Sequence, residues 1–329
     1  MGLSMTSKSV AIIGGGAWGS ALASQVSANG HNTRILTRRD DLARQLSKGV
    51  SPALDGMAIT APHQASTDPK AVVGGADAVI VVVPVAATEE TLKQIKPYLA
   101  ENIPVAFAAK GFEPKTDELI PHYASALIDN PIVMLSGPTF ADEVTQGLPA
   151  AMVAASDNND AAHFVANLFK GSSLRVYTSD DPVGVAVGGA VKNVIAIASG
   201  IIAGLELGDN ARAAILTRGL AEATRLAVAM GGRKETLFGL AGLGDMTLTC
   251  SGPHSRNFAF GLALVQGTGP TGKLAEGQHS CTVIARRAEH EGIQMPITAA
   301  VDRVVSGQSS IKEEINGLME RPVDSEWST

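Results

Sequence analysis

An apolar run from Val183 to Leu205 carries a lysine and an asparagine near its middle, Lys192 and Asn193. About 20 apolar residues would suffice to cross a membrane. A central lysine would cost roughly 2.5–3.5 kcal/mol there, however, and neither a basic cluster nor an aromatic belt flanks the run. We therefore predict a helix buried in a globular domain. A buried ammonium needs an acidic partner or a cleft, and its pKa shifts readily. Lys192 is either an acid/base catalyst or a structural ion-pair partner, and this run does not decide which.

A second candidate for chemistry is the pattern G-x-G-x-x-G at Gly14, Gly16 and Gly19. It follows a strand-like run and opens an alanine-rich helix pattern, which is the setting in which this pattern binds a dinucleotide. The first two glycines permit a tight turn and the close approach of a pyrophosphate, and the third lets helix and strand pack closely. The helix N-terminus then faces the phosphates. The alternative is a glycine turn with a structural role only.

The end of the second strand-like run bears on the choice of dinucleotide. It reads Arg38-Arg39-Asp40. An acid here accepts a hydrogen bond from the ribose 2′-OH of NAD, whereas arginine suits the 2′-phosphate of NADP. Because Asp40 is well placed to cap the next helix, the two arginines favour NADP(H), and NAD(H) stays open. They could also be solvated surface residues.

Polar residues also follow two later strand-like runs of the first half. Lys110 ends one of them, and Thr139 follows the other in Ser136-Gly137-Pro138-Thr139. Open α/β sheets bind ligands at the carboxyl ends of their strands. Either segment could equally be an ordinary turn.

In the second half, two segments combine charge with a special backbone position. Asp245 follows Gly242-Leu243-Gly244, and we predict that it lies on a flexible joint. Ser255 precedes Arg256 and an apolar helix, so it is a candidate N-cap. An arginine and free backbone N–H groups at a helix start bind anions well, although a plain capped helix would look the same.

Composition limits the class of function. The chain has 329 residues, 45% of them hydrophobic and 18% charged, as is typical of a globular protein with about two domains. The net charge is -6, and the sequence has no block of basic residues of the kind that a nucleic-acid-binding protein uses. Two cysteines and a start without a signal-peptide core predict a cytoplasmic protein. The chain contains no HExxH, Cys/His cluster, P-loop or GxSxG sequence, so we predict no metal site, kinase or hydrolase.

The order of elements predicts two domains. Strand-like runs alternate with helices as far as about Asp181, and the Val/Ile-rich run from Ala76 to Val85 is typical of a parallel strand covered on both faces. This alternation predicts a doubly wound α/β domain over residues 8–181. The later segments read as helices separated by glycine-rich joints, and they predict an all-helical domain over residues 182–329.

The chain resembles the bacterial type of NAD(P)-dependent glycerol-3-phosphate dehydrogenase from Ser9 to about Gly307. The resemblance rests on the order of the blocks GGGAWGSALA, VVVPV, AAKGFEP, LSGPTFADEV, GGAVKNVIAIASGIIAGL, GLGDMTLTC, SRNF and AEG. It implies a Rossmann domain followed by a helical domain. It also implies an oxidoreductase that reversibly reduces dihydroxyacetone phosphate to sn-glycerol 3-phosphate for phospholipid synthesis, and a possible homodimer.

The resemblance also assigns roles to residues. It implies that Lys192 is the catalytic acid/base. The cofactor-binding residues would be Gly14, Gly16, Ala17, Trp18, Gly19, Arg38, Arg39, Lys110, Ala141, Arg256, Leu274 and Glu276. The substrate-binding residues would be Lys110, Gly137, Thr139, Lys192, Asp245, Ser255, Arg256 and Asn257. The chain departs from the family pattern at Gln278-His279, where an aromatic residue and arginine are usual, and at Leu274, where valine is common.

Three other functions stay open at this point. One is a relative that acts on a hydroxy acid without a phosphate, a second is a nucleotide-binding regulatory protein without catalysis, and a third is a membrane protein. On helical spacing, Gly188, Gly189, Ala196 and Ser199 lie on the side of the helix that carries Lys192. We expect these small residues to leave room for substrate and nicotinamide.

Overall fold

The structure is a computed structural model that describes residues 6–268 and 276–322. Its contacts divide the chain into two units. The sheet unit consists of the chain up to Ala109 and the stretch from Ile120 to Pro182. The helical unit consists of the segment Lys110–Leu119 and the chain from Val183 onward. The sequence did not predict that Lys110–Leu119 groups with the helices.

The sheet unit is built on a mixed sheet of eight strands in the order β10-β9-β8-β7-β6-β1-β2-β5. Strands β5, β2, β1, β6, β7 and β8 are parallel neighbours, β9 is antiparallel to β8, and β10 is parallel to β9. A separate two-stranded ribbon pairs β3 with β4. The strands are β1 Ser9–Ile13, β2 Asn32–Leu36, β3 Val50–Ser51, β4 Met57–Ala58, β5 Gln64–Ser66, β6 Ala78–Val81, β7 Val105–Phe107, β8 Ile132–Ser136, β9 Ala150–Ala155 and β10 Leu174–Ser179.

Seven helices flank this sheet in the chain order expected of a Rossmann-like domain. They are α1 Ala17–Ala28, α2 Asp40–Ser47, α3 Pro69–Val73, α4 Thr88–Ile95, α5 Ile120–Ser125, α6 Ala141–Thr145 and α7 Asn159–Asn167. Every residue of β6 is buried, as its continuous Val/Ile content predicts for a parallel strand with no solvent-facing side. The predicted α/β class is therefore confirmed, although the strand is shorter than the run from Ala76 to Val85.

The helical unit contains no strand within residues 183–268 and 276–322. Its helices are α8 Pro182–Gly204, α9 Gly208–Ala229, α10 Lys234–Leu237, α11 Asp245–Thr249, α12 Arg256–Gln266, α13 Glu276–His290, α14 Pro296–Val305 and α15 Ile311–Met319, with a π-helical turn at Leu240–Gly244. Helix α8 is long and apolar enough to cross a membrane, but its most apolar stretch is entirely buried inside the protein. This burial is that of a core helix, and the helical class is confirmed.

Candidate active site

The glycine-rich turn joins β1 to α1, and each of its glycines has a different geometry. Gly14 adopts a φ of +119°, which L side chains rarely adopt, and a Cβ on it would lie 2.6 Å from the Val82 carbonyl oxygen. A Cβ on Gly19 would lie 1.9 Å from the Gly14 oxygen. A Cβ on Gly16 would meet nothing within 4 Å. The turn is thus packed tightly from the protein side and open at Gly16, which suits the close approach of a pyrophosphate.

Helix α1 starts directly after this turn, at Ala17. Its N-cap, Gly16, provides no side-chain cap, and the first turn contains no acid, so the backbone N–H groups are not screened by a carboxylate. Such an N-terminus attracts phosphate through its N–H groups and the helix dipole. Ala17 and Trp18 are half-buried there and pack against the core of the sheet unit.

The end of β2 presents two arginines in different states. Arg39 is exposed and donates to both carboxylate oxygens of Asp41, whereas Arg38 forms no hydrogen bond or ion pair within the described part of the chain. The N-cap of α2 is Arg39, and Asp40 is the first residue of the helix. The predicted capping role of Asp40 is therefore wrong. Its Oδ1 instead accepts from Thr67 Oγ1 at 2.8 Å.

The remaining predicted residues of the sheet unit follow β8. A Cβ on Gly137 would lie 2.6 Å from the Met152 Cα, so this position has no space for a side chain. Thr139 is half-buried and its hydroxyl donates to the Gly137 carbonyl oxygen at 3.2 Å. Ala141 begins α6, whose N-cap is Phe140. Thr139 is thus a hydroxyl donor between the end of β8 and the start of α6.

In the helical unit, α8 and α12 cross closely enough that glycine is needed on both helices. A Cβ on Gly200 would lie 2.1 Å from the Phe258 oxygen, and one on Gly261 would lie 2.1 Å from the Ile197 oxygen. This crossing brings the polar residues of both helices together. Asn257 Nδ2 donates to Asn193 Oδ1 at 2.9 Å, and Asn257 Oδ1 accepts from the Gly277 N–H at 2.9 Å.

Gly188 of α8 serves close packing rather than open space. A Cβ on Gly188 would lie 2.7 Å from the Ala241 oxygen, in the π-helical turn. Ala196 and Ser199 are fully buried. The expectation that Gly188 leaves room for substrate and nicotinamide is therefore wrong, because the turn that leads to α11 occupies that space.

Asp245 is the first residue of α11 and is only 1% exposed. The prediction of a flexible joint is wrong, since the π-helical turn before it packs on α8 and leaves no space at Gly242, where a Cβ would lie 2.1 Å from the Leu237 oxygen. The carboxylate is thus fixed by backbone packing on its N-terminal side.

Two lysines share this carboxylate. Lys192 Nζ donates to Asp245 Oδ1, and Lys110 Nζ donates to Asp245 Oδ2 at 2.6 Å. Lys192 also donates to Thr249 Oγ1 at 2.9 Å, and that hydroxyl donates to the Asp245 backbone oxygen at 2.6 Å. Thr249 was not predicted, although its i+4 spacing from Asp245 places both residues on one helix face. The cluster contains two cations and one anion, so it favours an additional negative charge.

Burial and neighbouring charge set the protonation of this cluster. Burial lowers the pKa of Lys192 to about 8, the Asp245 carboxylate opposes that change, and the Lys110 ammonium adds to it. Burial would raise the pKa of Asp245, but the two ammonium groups outweigh it and hold the pKa below its usual value. A lysine with a pKa of about 8 can give and take a proton near neutral pH, unlike an ordinary surface lysine.

The start of α12 holds the other predicted substrate residues. Ser255 is the N-cap, as predicted, and its Oγ accepts from the Phe258 N–H. Arg256 is exposed, whereas Asn257 and Asn193 are buried. Asn193 Nδ2 has no hydrogen-bond partner within residues 6–268 and 276–322, and it is a donor that a ligand could use. Leu274 and the side chain of Glu276 lie outside the described part of the chain.

Dinucleotide-dependent oxidoreductases combine a glycine-rich strand–turn–helix unit with groups that bind and protonate the substrate. The fold and the glycine-rich turn of this chain have the features of that class. Family models narrow the class further: the NAD-dependent glycerol-3-phosphate dehydrogenase N-terminus matches residues 9–162, and the C-terminus of the same family matches residues 181–316. The chain therefore belongs to the NAD-dependent glycerol-3-phosphate dehydrogenase family, as the sequence blocks predicted.

Individual relatives agree with this assignment. A Mesorhizobium japonicum protein named glycerol-3-phosphate dehydrogenase [NAD(P)+] is 42% identical over 320 residues, which cover 96% of this chain and 93% of the relative. A protein of the same name from Parvibaculum lavamentivorans is 39% identical over 98% of this chain and its own full length. The crystal structure of glycerol-3-phosphate dehydrogenase from Coxiella burnetii is similar at a TM-score of 0.88 and 35% identity, covering 96% of this chain and 99% of that one.

Proposed function

We propose that this chain is an NAD(P)-dependent glycerol-3-phosphate dehydrogenase that reduces dihydroxyacetone phosphate to sn-glycerol 3-phosphate, with Lys192 as the proton donor. Membership of the family supports the reaction. The observation that carries the lysine's role is its ammonium, buried on Asp245 and Thr249 with a pKa near 8.

The glycine turn fits a dinucleotide, because Gly16 leaves open space in front of a helix N-terminus. Gly14, Gly16, Ala17, Trp18 and Gly19 would hold the pyrophosphate end. When bound, the nicotinamide cofactor supplies or accepts a hydride. Lys110, Ala141, Arg256, Leu274 and Glu276 are proposed as further cofactor contacts on the basis of the family pattern.

Lys192 meets the requirements of a general acid for ketone reduction. As negative charge builds on the carbonyl oxygen, its ammonium donates a proton, and such transfer typically contributes about 10²–10⁴-fold to the rate. Asp245 holds the ammonium in place and opposes the lowering of its pKa by burial, while Lys110 adds a second positive charge. In the reverse direction, neutral Lys192 accepts the proton of the substrate hydroxyl.

The start of α12 suits the substrate phosphate. Ser255 caps the helix, and Arg256 and Asn257 occupy its first two positions, where N–H groups and the helix dipole attract anions. Binding a phosphate remote from the reacting carbon positions that carbon for reaction. On the basis of the family pattern, we propose Gly137 and Thr139 as further substrate contacts.

For the cofactor, we propose a preference for NADP(H) over NAD(H). Asp40 accepts a hydrogen bond from Thr67, and Arg39 is paired with Asp41. Arg38, in contrast, forms no hydrogen bond or ion pair within the described part of the chain. Arg38 can therefore offer its guanidinium to a 2′-phosphate. On the basis of family likeness, we also propose that the protein is a cytoplasmic homodimer and that its product supplies phospholipid synthesis. Analytical ultracentrifugation of the purified chain tests the dimer.

One assay tests the proposed reaction. The purified chain is incubated with NADPH and dihydroxyacetone phosphate, and loss of NADPH absorbance is followed, with dihydroxyacetone and a small 2-oxo acid as control substrates. We expect turnover with the phosphate ester and little without the phosphate. Turnover of the 2-oxo acid alone would favour a hydroxy-acid dehydrogenase, and NADPH binding without any turnover would favour a regulatory protein.

A further inference from the structure

The segment Lys110–Leu119 connects β7 to α5, which both belong to the sheet unit. Its contacts nevertheless group the segment with the helical unit. Its first residue is one of the two lysines on Asp245. The position of Lys110 therefore depends on whatever fixes this segment within the helical unit. We refer to Lys110–Leu119 as the lysine segment.

The lysine segment has a fixed internal shape. Glu113 is 5% exposed, and its Oε2 accepts from the backbone N–H groups of Lys115 at 2.7 Å and Thr116 at 2.8 Å. Phe112 and Leu119 pair as an antiparallel bridge and are both buried. Because Phe112 pairs with Leu119 and the Glu113 carboxylate is bonded inside the segment, residues 112–119 should shift as one body when an external anchor is lost.

An external anchor lies near the far end of the segment from Lys110. Arg286 on α13 donates through Nε to Asp117 Oδ2 at 2.5 Å and through Nη2 to Asp117 Oδ1. The same Nη2 donates to the Pro114 oxygen at 3.0 Å. A two-point guanidinium–carboxylate contact fixes orientation as well as distance. The Arg286 side chain is 50% exposed, so this contact contributes little to global stability.

We propose that Arg286 and Asp117 are positioning residues that hold Lys110 against Asp245 by anchoring the lysine segment to α13. Their effect on turnover rests on the proposed function of the lysine cluster, whereas their effect on the position of Lys110 does not. Loss of the anchor lets Lys110 leave Asp245 part of the time. Because the Lys110 charge is one of the influences that lower the pKa of Lys192, that pKa then rises.

The chain offers a matched control for this anchor. Arg303 on α14 makes the same two-point contact with Glu314 on α15, at 2.7 and 2.6 Å, and its side chain is 45% exposed. Within the described residues, neither side chain of this pair forms a hydrogen bond or ion pair with the lysine segment. Arg286→Gln and Arg303→Gln therefore remove equivalent surface contacts, and only the first touches the proposed anchor.

The first measurement is independent of activity. The whole protein is treated briefly with acetic anhydride, and the acetylation rate of Lys110 is read by peptide mass spectrometry. We expect a severalfold faster reaction at Lys110 in Arg286→Gln and no change in Arg303→Gln. Asp117→Asn should act like Arg286→Gln, since asparagine tolerates the φ of +57° at this position. The double variant should be no worse than the more affected single variant.

The second measurement is kinetic. For Arg286→Gln we expect kcat/KM with dihydroxyacetone phosphate to fall about ten- to a hundredfold, and the alkaline limb of kcat to move to higher pH. Arg303→Gln should keep the parent's kinetics and pH limb. Unchanged Lys110 acetylation in both Arg286→Gln and Asp117→Asn overturns the proposal, as does an activity loss of equal size in the Arg303→Gln control. If Lys110 is acetylated faster in Arg286→Gln than in the parent, and the parent itself shows no turnover, the anchor is upheld and the proposed function is rejected.

Discussion

The sheet unit and the helical unit each contain a region that attracts negative charge, and the two regions do so by different physical means. The turn at Gly14, Gly16 and Gly19 offers backbone N–H groups, and its first helical turn contains no charged side chain. The cluster at Asp245 instead brings together ionised side chains from separate segments, with Lys110 and Lys192 on one carboxylate. The turn depends on backbone conformation and the cluster on protonation. A substitution should therefore change shape and affinity in the first region, and the rate and its pH dependence in the second.

The largest effect on turnover is expected from substitution of Lys192 in the cluster. Lys192→Ala should lower kcat by about 10²–10⁴-fold, because proton transfer to the carbonyl oxygen is lost. Affinity for NADPH should stay near that of the parent, since the glycine turn is intact. Steady-state kinetics and a fluorescence titration measure the two quantities. Lys93→Ala, which removes an exposed lysine paired with Glu89, serves as the control. A near-normal kcat in Lys192→Ala would reject the role.

Two alanine substitutions in the turn separate its shape from its ligand space. Gly19→Ala places a Cβ 1.9 Å from the Gly14 oxygen and should reduce the free energy of unfolding by about 1–3 kcal/mol, with loss of cofactor binding. Gly16→Ala meets nothing in the protein, so it should unfold like the parent and yet bind NADPH weakly. Urea unfolding and a binding titration give both values. Equal cofactor affinity in the parent and Gly16→Ala would contradict a pyrophosphate at this position.

The protonation of the cluster should appear in the pH dependence of the rate. Lys192 must be protonated to act as an acid, so kcat for ketone reduction should fall as the pH rises through about 8, and kcat for the reverse oxidation should rise over the same range. Asp245→Asn removes a charge that raises the pKa of Lys192. The limb should therefore move to lower pH in that variant, whatever its overall rate. If the fall of kcat with pH stays in place or moves to higher pH in Asp245→Asn, the titration that controls kcat is not that of Lys192.

The smallest effect concerns the arginines beside the turn. Arg38→Ala with Arg39→Ala should raise KM for NADPH more than KM for NADH. Arg38→Gln alone should account for most of this change, roughly tenfold, the value of one charge-assisted hydrogen bond. Arg39→Gln should matter less because Arg39 is held by Asp41. Equal changes in KM for both cofactors would refute the assignment to a 2′-phosphate.

Local patterns predicted much of the fold and part of the site. The Val/Ile run at β6, the helix at α8 and the cap at Ser255 each depend on neighbours in the chain, so periodicity and residue type were sufficient. Asp40 shows the limit of this reasoning. A cap and a first-turn position differ by one residue, and the hydrogen bond to Thr67 comes from a different loop.

The sequence by itself determined the glycine turn, the two fold classes, and Lys192 as the charged residue of a buried helix. Tertiary structure alone decided what that lysine contacts. Asp245 is 53 residues from Lys192 and 135 from Lys110, and the carboxylate was predicted on a loose joint because GLG looks flexible in isolation. In the folded chain Gly242 packs against Leu237 of α10, and the π-helical turn packs on α8 at Gly188, so no Cβ would fit at either glycine. Residues that look permissive in the sequence are thus the ones that fix the carboxylate, because close backbone contact is a property of the assembled core.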